Sequence, residues 1–199
     1  MSLNLIMGAR NGAKTKRDDN DFYATNPEAI KLFLERISKD KDFKLHSNIW
    51  ECACGQGHIS ETLKKYNYNV NSTDLINRGY GTPYTDFLKI EKSMLAPFEK
   101  SCDILTNPPF KHALNFIYKS IELLSEGYYS CFFLKLNFLE SKNRKILFEN
   151  YPPKFIYIYS SRQQCALNAN FEEYNARTHP YCWIIWQKGF KDETITRWI

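Results

Sequence analysis

The stretch NIWECACGQG at residues 48–57 decides how this chain folds. Residues 48–53 form a short apolar run that predicts a buried strand, and Gly55 and Gly57 then supply a turn. A helix is predicted next, because apolar residues follow at helical spacing, at Ile59, Leu63 and Tyr66. A strand, a glycine turn and a helix open a nucleotide-binding βαβ unit. Ser60 stands where the dinucleotide fingerprint has its third glycine, so a turn without a ligand stays an alternative.

Acidic residues follow the next two predicted strands. Asp74 ends the strand predicted at 69–75 and lies 23 residues after Glu51, where a carboxylate can accept both hydroxyls of a ribose. Asp86, with Phe87 beside it, follows a short predicted third strand and suits the amino group and the ring of an adenine. Glu51 can orient the glycine turn or meet an ammonium group. Adenine, ribose and ammonium without a pyrophosphate make up S-adenosylmethionine, which is the predicted cofactor.

A second stretch, DILTNPPF at residues 103–110, predicts a short buried strand that ends at a rigid corner. The Asn107 side chain and the Pro108 carbonyl are hydrogen-bond acceptors, and the prolines hold this part of the chain extended. Two fixed acceptors, one for each N–H, would localise the lone pair of an exocyclic amino nitrogen that attacks a methyl donor. Phe110 offers a flat face for a planar target. The alternative is that these residues form only a turn that ends a strand.

The order of the predicted elements gives the fold class. A helix capped by Asn26 precedes a series of βα repeats, and a strand at 181–187 comes late, after a polar loop at 160–180. This alternation predicts an α/β, three-layer Rossmann-like fold, whose sheet is mostly parallel with a late antiparallel strand. The remaining predictions are a buried face of Ile30, Phe33, Leu34 and Ile37 on the first helix, a helical face of Leu114, Ile117, Tyr118, Ile121 and Leu124, strands at 128–136 and 154–159, a helix at 139–148, and a tail at 188–199.

The composition is that of a folded chain. Its 199 residues are 43% hydrophobic, enough for a real core, and the net charge of +5 is compatible with a nucleic-acid partner. We expect one domain at 21–199 and a disordered tail at 1–20. The six cysteines lack the spacing of zinc knuckles, so no metal site is predicted. No apolar run approaches the length of a membrane span, and a cytoplasmic location is the default expectation.

Together these motifs resemble class I S-adenosylmethionine-dependent amino-methyltransferases. The resemblance is carried by ECACGQG at 51–57, Asp74, TDFL at 85–88 and NPPF at 107–110, in this order. The start DFYATNP at 21–27 is similar to the N-terminal motif that helps to close the methionine end of the cofactor pocket in that family. The chain looks most like the small DNA adenine-N6 methyltransferases common in phages and prophages. Their late segments are similar to Ser161 and Arg162 and to YCWIIW at 181–186.

The resemblance implies roles for individual residues. Asp74 would bind the ribose and Asp86 the adenine, while the glycines approach the cofactor with their backbone. The catalytic corner would consist of Asn107, Pro108, Pro109 and Phe110, with the first two holding the target amino group. The full set implied for the cofactor is Tyr23, Thr25, Glu51, Ala53, Gly55, Gly57, Asp74, Asp86, Phe87 and Asn107, of which Tyr23 and Thr25 would lie near the methionine part.

The predicted activity is methyl transfer to an exocyclic amino nitrogen, with adenine N6 of DNA as the expected target. Cytosine N4, adenine in RNA, a protein glutamine, and a non-catalytic partner subunit remain alternatives. A base in a duplex must be flipped out to reach Phe110. No separate recognition domain fits in the chain, so contacts with nucleic acid are expected from Phe110, Lys111, Arg162 and Arg177. We expect a monomer or a weak dimer.

Overall fold

The computed structural model describes residues 22–167, 169–172 and 179–199. Its strands form a central sheet and a short two-stranded ladder. The helices of the described residues are α1 (Pro27–Ser38), α2 (His58–Lys65), α3 (Ala113–Leu123) and α4 (Lys145–Asn150). The strands are β1 (Tyr23–Thr25), β2 (Asn48–Glu51), β3 (Asn69–Ser72), β4 (Asp103–Thr106), β5 (Tyr129–Lys135), β6 (Phe155–Ile158), β7 (Cys165–Leu167), β8 (Tyr181–Gln187) and β9 (Ile195–Trp198).

The central sheet has the strand order β3-β2-β4-β5-β8-β6-β9. β2 pairs in parallel with β3 and β4, and β4 pairs in parallel with β5. β8 runs antiparallel between β5 and β6. Separate apolar clusters lie on the two faces of the sheet, under helices. The predicted fold class, an α/β three-layer arrangement with a mostly parallel sheet and a late antiparallel strand, is confirmed.

Aromatic side chains fill the core on both faces of the sheet. On one face, Phe33 of α1 stacks on Trp183 of β8 with ring centroids 4.6 Å apart. On the other face, Phe87 stacks on Phe116 of α3 at 5.0 Å. Strands covered on both faces read as continuous apolar runs, as β5 and β8 do. Full burial of a large apolar side chain contributes about 1.5–3 kcal/mol to folding, so these clusters dominate the stability.

Helix α1 follows its predicted signals. The side chain of Asn26 accepts a hydrogen bond from the Glu28 N–H at 2.9 Å, and Pro27 occupies the first turn. The predicted buried face is confirmed, with Ile30, Phe33, Leu34 and Ile37 all at most 3% exposed.

The predicted faces of the next two helices are partly wrong. In α2, Ile59 and Leu63 are buried as predicted, but Tyr66 is 38% exposed and lies at the C-cap. In α3, Tyr118 is equally exposed, and the buried face consists of Ala113, Phe116, Ile117, Ser120 and Leu123. Apolar residues lie around most of α3, so spacing alone could not select the face that packs against Phe87.

Two strands lie where the sequence predicted none. β1 and β7 pair antiparallel, with Tyr23 opposite Leu167, and β7 falls within the predicted irregular loop at 160–180. The Asn26 N–H extends the ladder by donating to the Gln164 carbonyl at 3.2 Å. Each strand has three residues, which is too short for an alternating pattern to show in the sequence.

The predicted tail at 188–199 is also wrong, because it contains β9. This strand pairs in parallel with β6 at the edge of the sheet. The Arg197 guanidinium forms ion pairs with Asp40 and Asp42 after α1, and the Tyr157 hydroxyl donates to Asp40 at 2.6 Å. These partners are far apart in the sequence, so no local pattern could indicate them.

Two further predictions are wrong in detail. Residues 73–102 contain an isolated bridge between Thr73 and Thr82 but no third strand before Asp86. The helix predicted at 139–148 is broken into 3₁₀ turns followed by the short α4. Arg144 causes part of this break, since its guanidinium binds the backbone carbonyls of residues 137, 138 and 140 instead of leaving them to a helix.

All six cysteines are buried free thiols. Over the described residues, no helix combines the length and the apolar character needed to cross a bilayer. The predicted tail at 1–20 lies outside the described residues.

Candidate active site

The carboxyl ends of β2, β3 and β4 border a cavity of about 300 Å³. Parallel strands present these ends at one edge of the sheet, so the side chains that follow them converge there. Glu51 ends β2, Asp74 follows β3, and Asn107 follows β4. Other predicted residues that border the cavity are Tyr23, Thr25, Ala53, Asp86, Phe87, Pro108, Pro109 and Phe110. The structure therefore brings most of the predicted site residues together.

The side-chain amide of Asn107 is held by β1. Its Nδ2 atom donates to the Tyr23 carbonyl at 2.9 Å and to Thr25 Oγ1 at 3.0 Å. Because a carbonyl can only accept, the contact with Tyr23 fixes which side of the amide carries the nitrogen. Asn107 Oδ1 is buried and has no hydrogen-bond partner among the residues that the structure describes. An unpaired buried acceptor costs about 1–3 kcal/mol, which a donor from a bound molecule would remove.

The two prolines after Asn107 shape the corner. Pro109 has φ −53° and ψ 121°, and its carbonyl accepts a hydrogen bond from the His112 N–H at 2.8 Å, which starts the turn into α3. Within the described residues, the Pro108 carbonyl accepts no backbone hydrogen bond. The corner therefore has two acceptors on adjacent residues that border the cavity, Asn107 Oδ1 and the Pro108 carbonyl.

Phe110 is half-buried among other rings. Its ring centroid lies 5.8 Å from that of Tyr23 and 6.4 Å from that of Tyr181. Lys135 Nζ lies 4.7 Å from the centre of the Phe110 ring, at the end of β5. Sequence reasoning missed Lys135, because it ends an apolar strand and belongs to no motif, and it gave Tyr181 no place in the site although Tyr181 begins the YCWIIW segment.

Asp74 supports the glycine turn as well as bordering the cavity. One carboxylate oxygen accepts from the Gly55 N–H and the other from the Ile76 N–H, each at 2.8 Å. The side chain is buried, with the residue 8% exposed. Each carboxylate oxygen has two lone pairs, so both can accept a further hydrogen bond from a ligand hydroxyl.

The two glycines of the turn are required by their surroundings. Gly55 has φ +56°, and a Cβ there would collide with the ring of Phe22. Gly57 has φ +84°, and a Cβ there would lie 2.6 Å from the ring of Tyr80. Neither glycine is among the described residues that border the cavity. Their predicted approach to the cofactor through the backbone therefore stays a prediction, and Phe22 borders the cavity at this point.

Glu51 anchors the start of α2. Its carboxyl group accepts from the Ser60 N–H at 2.9 Å and also bonds the Ser60 hydroxyl, which lies 2.6 Å from the Ser72 hydroxyl. Burial raises the pKa of Glu51 to about 8, although the bonds from Ser60 oppose this shift. These contacts join Glu51 to α2, and both predicted roles of Glu51, orienting the glycine turn and meeting an ammonium group, stay predictions. Ser60, at the third-glycine position, thus takes part in a buried hydrogen-bond network.

Asp86 and Phe87 border another part of the cavity. Asp86 caps a 3₁₀ turn by accepting from the Leu88 N–H at 3.2 Å, and it forms an ion pair with Lys89 at 3.3 Å. Phe87 is 2% exposed and packs against Trp50 at 5.3 Å as well as against Phe116. The ring is fixed before any ligand binds, and it can form a flat wall for a planar group.

Of the predicted substrate residues, Phe110 borders the cavity, whereas Lys111 and Arg162 do not. Lys111 and Arg162 are exposed, and Arg177 falls outside the described residues. Burial lowers the pKa of His179, and the positive charges of Lys135 and Arg162 lower it further. Because the lowered pKa favours neutral His179, the cations near this residue are Lys135 and Arg162 (the cationic cluster), and Lys135 also contacts the Phe110 ring.

The search of solved structures finds the same fold. A methyltransferase subunit of a type I restriction-modification system from Streptococcus thermophilus is 14% identical with a TM-score of 0.63, over 90% of this chain and 48% of that one. A protein from Listeria monocytogenes, named as a class I S-adenosylmethionine-dependent methyltransferase, is 12% identical with a TM-score of 0.58. The match covers 87% of this chain and 65% of that one. The M protein of the type I restriction enzyme EcoKI is 13% identical with a TM-score of 0.58, over 86% and 45%.

At these identities the similarity establishes the fold alone. The chain spans less than two thirds of the length of these three proteins. No protein-family model matches the chain, and no curated protein matches its sequence. The function must therefore be argued from the site.

Proposed function

We propose that this chain is an S-adenosylmethionine-dependent methyltransferase that acts on an exocyclic amino nitrogen, with adenine N6 of DNA as the target. The observation that carries the proposal is the buried, unpaired Oδ1 of Asn107 in the described structure, on an amide whose nitrogen is bonded to β1. Together with the Pro108 carbonyl it makes two acceptors, and an amino group has two hydrogens to donate. A hydroxyl or a thiol has one hydrogen and would leave one acceptor unpaired.

The charges of the cavity support this cofactor. S-adenosylmethionine carries a sulfonium and an ammonium group against one carboxylate, and the carboxylates of Asp74 and Asp86 border the cavity together with the carboxyl group of Glu51, which its raised pKa favours in the neutral form. Asp74 would accept from the ribose hydroxyls, and Asp86 from the adenine amino group beside the Phe87 ring. When bound, the cofactor would supply an electrophilic methyl group.

The chain itself prepares the amino nitrogen. In a planar aromatic amine the lone pair is delocalised into the ring, so the nitrogen is a poor nucleophile. Acceptors at Asn107 and Pro108 would pull the two N–H bonds out of the ring plane and favour a localised lone pair. Phe110 would hold the ring by stacking. The rigid corner supplies alignment, which is the main contribution expected when no strong general base is required.

The cationic cluster supports a polyanionic substrate. Lys135 of this cluster lies next to Phe110, where the target ring would stack. A flipped nucleotide brings its phosphates to the mouth of the pocket that receives its base. Nucleic acid fits this arrangement better than a protein glutamine does, because an amide side chain brings no phosphate. The restriction-modification methyltransferases among the solved structures give further support for DNA.

Transfer of a labelled methyl group to unmodified duplex DNA, followed by identification of the modified base, tests this function. We expect N6-methyladenine. Asn107→Ala should lower the rate by at least about 10²-fold, the usual cost of removing one group that stabilises a transition state, and leave S-adenosylhomocysteine binding within about twofold. Asn137→Ala, in an exposed turn after β5, is the matched control and should leave both measurements unchanged.

Other outcomes would change the proposal in defined ways. Methylcytosine, methylated RNA or methylated protein glutamine as the product would keep the amino chemistry and replace the substrate. Cofactor binding without transfer to any of these substrates would instead identify a non-catalytic subunit.

A further inference from the structure

Arg78 borders the cavity, and the chemistry of the corner does not use it. It lies in the loop after β3, and its guanidinium is 4.6 Å from the centre of the Phe22 ring. Neither lysine nor a second arginine is found among the described residues that border the cavity. Of the two histidines there, His58 has its pKa lowered by burial, which favours its neutral form. Arg78 is therefore the permanent positive charge on a wall that otherwise carries carboxyl groups.

The contacts of Arg78 place it at the glycine turn. Phe22, on which the guanidinium stacks, lies directly against Gly55. The charge of Arg78 also acts on the neighbouring thiol of Cys54, whose pKa burial raises to about 12 and Arg78 partly lowers. Phe22 leads directly into β1, which holds Asn107. The guanidinium thus lies at the part of the cavity where the turn, the start of α2 and β1 meet.

We propose that Arg78 binds the carboxylate of the amino-acid part of S-adenosylmethionine, an inference that rests on the proposed function. That carboxylate is the single anionic group of the cofactor, and the carboxylates of Asp74 and Asp86 would repel it. A guanidinium offers a fork of N–H donors that matches a carboxylate, and it keeps its charge at any physiological pH. Stacking on Phe22 occupies the face of the guanidinium, whereas a carboxylate binds its edge, so the two contacts are compatible.

Two ligands that differ in this carboxylate alone isolate the contact. S-adenosylhomocysteine and its decarboxylated analogue share the adenine, the ribose and the amine. Calorimetric titration of the full chain should show the analogue binding about 10–100-fold more weakly to the wild type, the range for a lost charge-assisted hydrogen bond. Arg78→Met, which keeps an unbranched side chain to lie on Phe22, should weaken S-adenosylhomocysteine by the same factor and leave the analogue within about twofold. Arg78→Lys should give an intermediate loss.

The outcomes separate this inference from the proposed function. The role of Arg78 would be overturned if the wild type bound the two ligands with equal affinity. It would also be overturned if Arg78→Met lost affinity for both ligands by the same factor. Either result would leave the methyltransferase proposal standing. If the wild type bound neither ligand, the cofactor proposal itself would fall. Equal wild-type affinities overturn the inference without any variant, and if Arg78→Met fails to fold, a selective loss of S-adenosylhomocysteine affinity in Arg78→Lys assigns the contact to Arg78.

Discussion

The Nδ2 atom of Asn107 donates a hydrogen bond to Oγ1 of Thr25 at 3.0 Å, across 82 residues of sequence. With the bond to the Tyr23 carbonyl, this contact prevents the amide from rotating and leaves Oδ1 as the acceptor at the cavity wall. Thr25 is 2% exposed and is paired with Cys165 of β7. The geometry of the corner after β4 thus depends on a strand that is far away in the sequence.

Thr25→Val should therefore reduce methyl transfer without reducing cofactor affinity. The change removes one neutral hydrogen bond, worth about 0.5–1.5 kcal/mol, so the rate should fall about 2–10-fold. Single-turnover transfer and calorimetric titration with S-adenosylhomocysteine measure the two properties separately. Thr25→Ser keeps the hydroxyl and should restore the rate. A parallel loss of affinity in Thr25→Val would mean that Thr25 contacts the cofactor directly.

Asp74→Ala should weaken the binding of S-adenosylhomocysteine by about 1.5–3 kcal/mol, the range for hydrogen bonds to a charged group. The same carboxylate supports the Gly55 and Ile76 N–H groups, so the melting temperature should fall as well. Asp74→Asn retains one acceptor oxygen and should lie between the wild type and Asp74→Ala in affinity. Unchanged calorimetric affinity in a folded Asp74→Ala protein would remove Asp74 from the ligand site.

Gly57→Ala should destabilise the fold more than Gly127→Ala does. Both glycines have positive φ, +84° and +86°, which costs any other residue about 1–2 kcal/mol. A Cβ at Gly57 would in addition lie 2.6 Å from the Tyr80 ring, whereas the space around Gly127 is open. Urea unfolding measures the difference. Adding Tyr80→Ala to Gly57→Ala should restore the part of the unfolding free energy that the clash with the ring removes. An equal loss of unfolding free energy in Gly57→Ala and Gly127→Ala would refute the clash.

The ionisation of Glu51 should make the stability depend on pH. Burial raises its pKa to about 8 in the folded protein, against an ordinary value of 4.5. Between these values the folded state retains a proton that the unfolded state has lost, so the contribution of Glu51 to stability falls as the pH rises through this window. Glu51→Gln removes the titration, and the stability of that variant relative to the wild type should increase from pH 5 to pH 8. The stabilities are measured by urea unfolding at several pH values. If the unfolding free energies of the wild type and Glu51→Gln changed in parallel with pH, the raised pKa would be contradicted.

The sequence predicted those parts of the molecule that local patterns encode. The strand, glycine turn and helix around residues 48–65 were identified because apolar spacing and glycines act within a few residues. The corner at Asn107 was found because its acceptors and its aromatic ring suit the binding of an exocyclic amino group. β1, β7 and β9 were missed, since their stability comes from partners far away in the sequence, such as Asp40 for Arg197.

Contacts at and near the cavity that join distant segments were missed for a related reason. Phe22 and Arg78 meet through the stacking of a guanidinium on a ring, and they lie on opposite sides of the glycine turn in sequence. Lys135 ends an apolar strand that reads entirely as core. Their positions follow from the packing of the sheet, which no single stretch of sequence contains.

The ladder between β1 and β7 joins segments far apart in the chain through three residue pairs. So short a ladder can open locally while the seven-stranded sheet remains folded, since its own pairs need not break. Opening would release the amide of Asn107 and uncover the cavity together, so ligand entry and catalytic alignment would be coupled to one fluctuation. Backbone amides of β1 should then exchange with deuterium faster than those of β5 and β8, and a bound ligand should slow that exchange selectively.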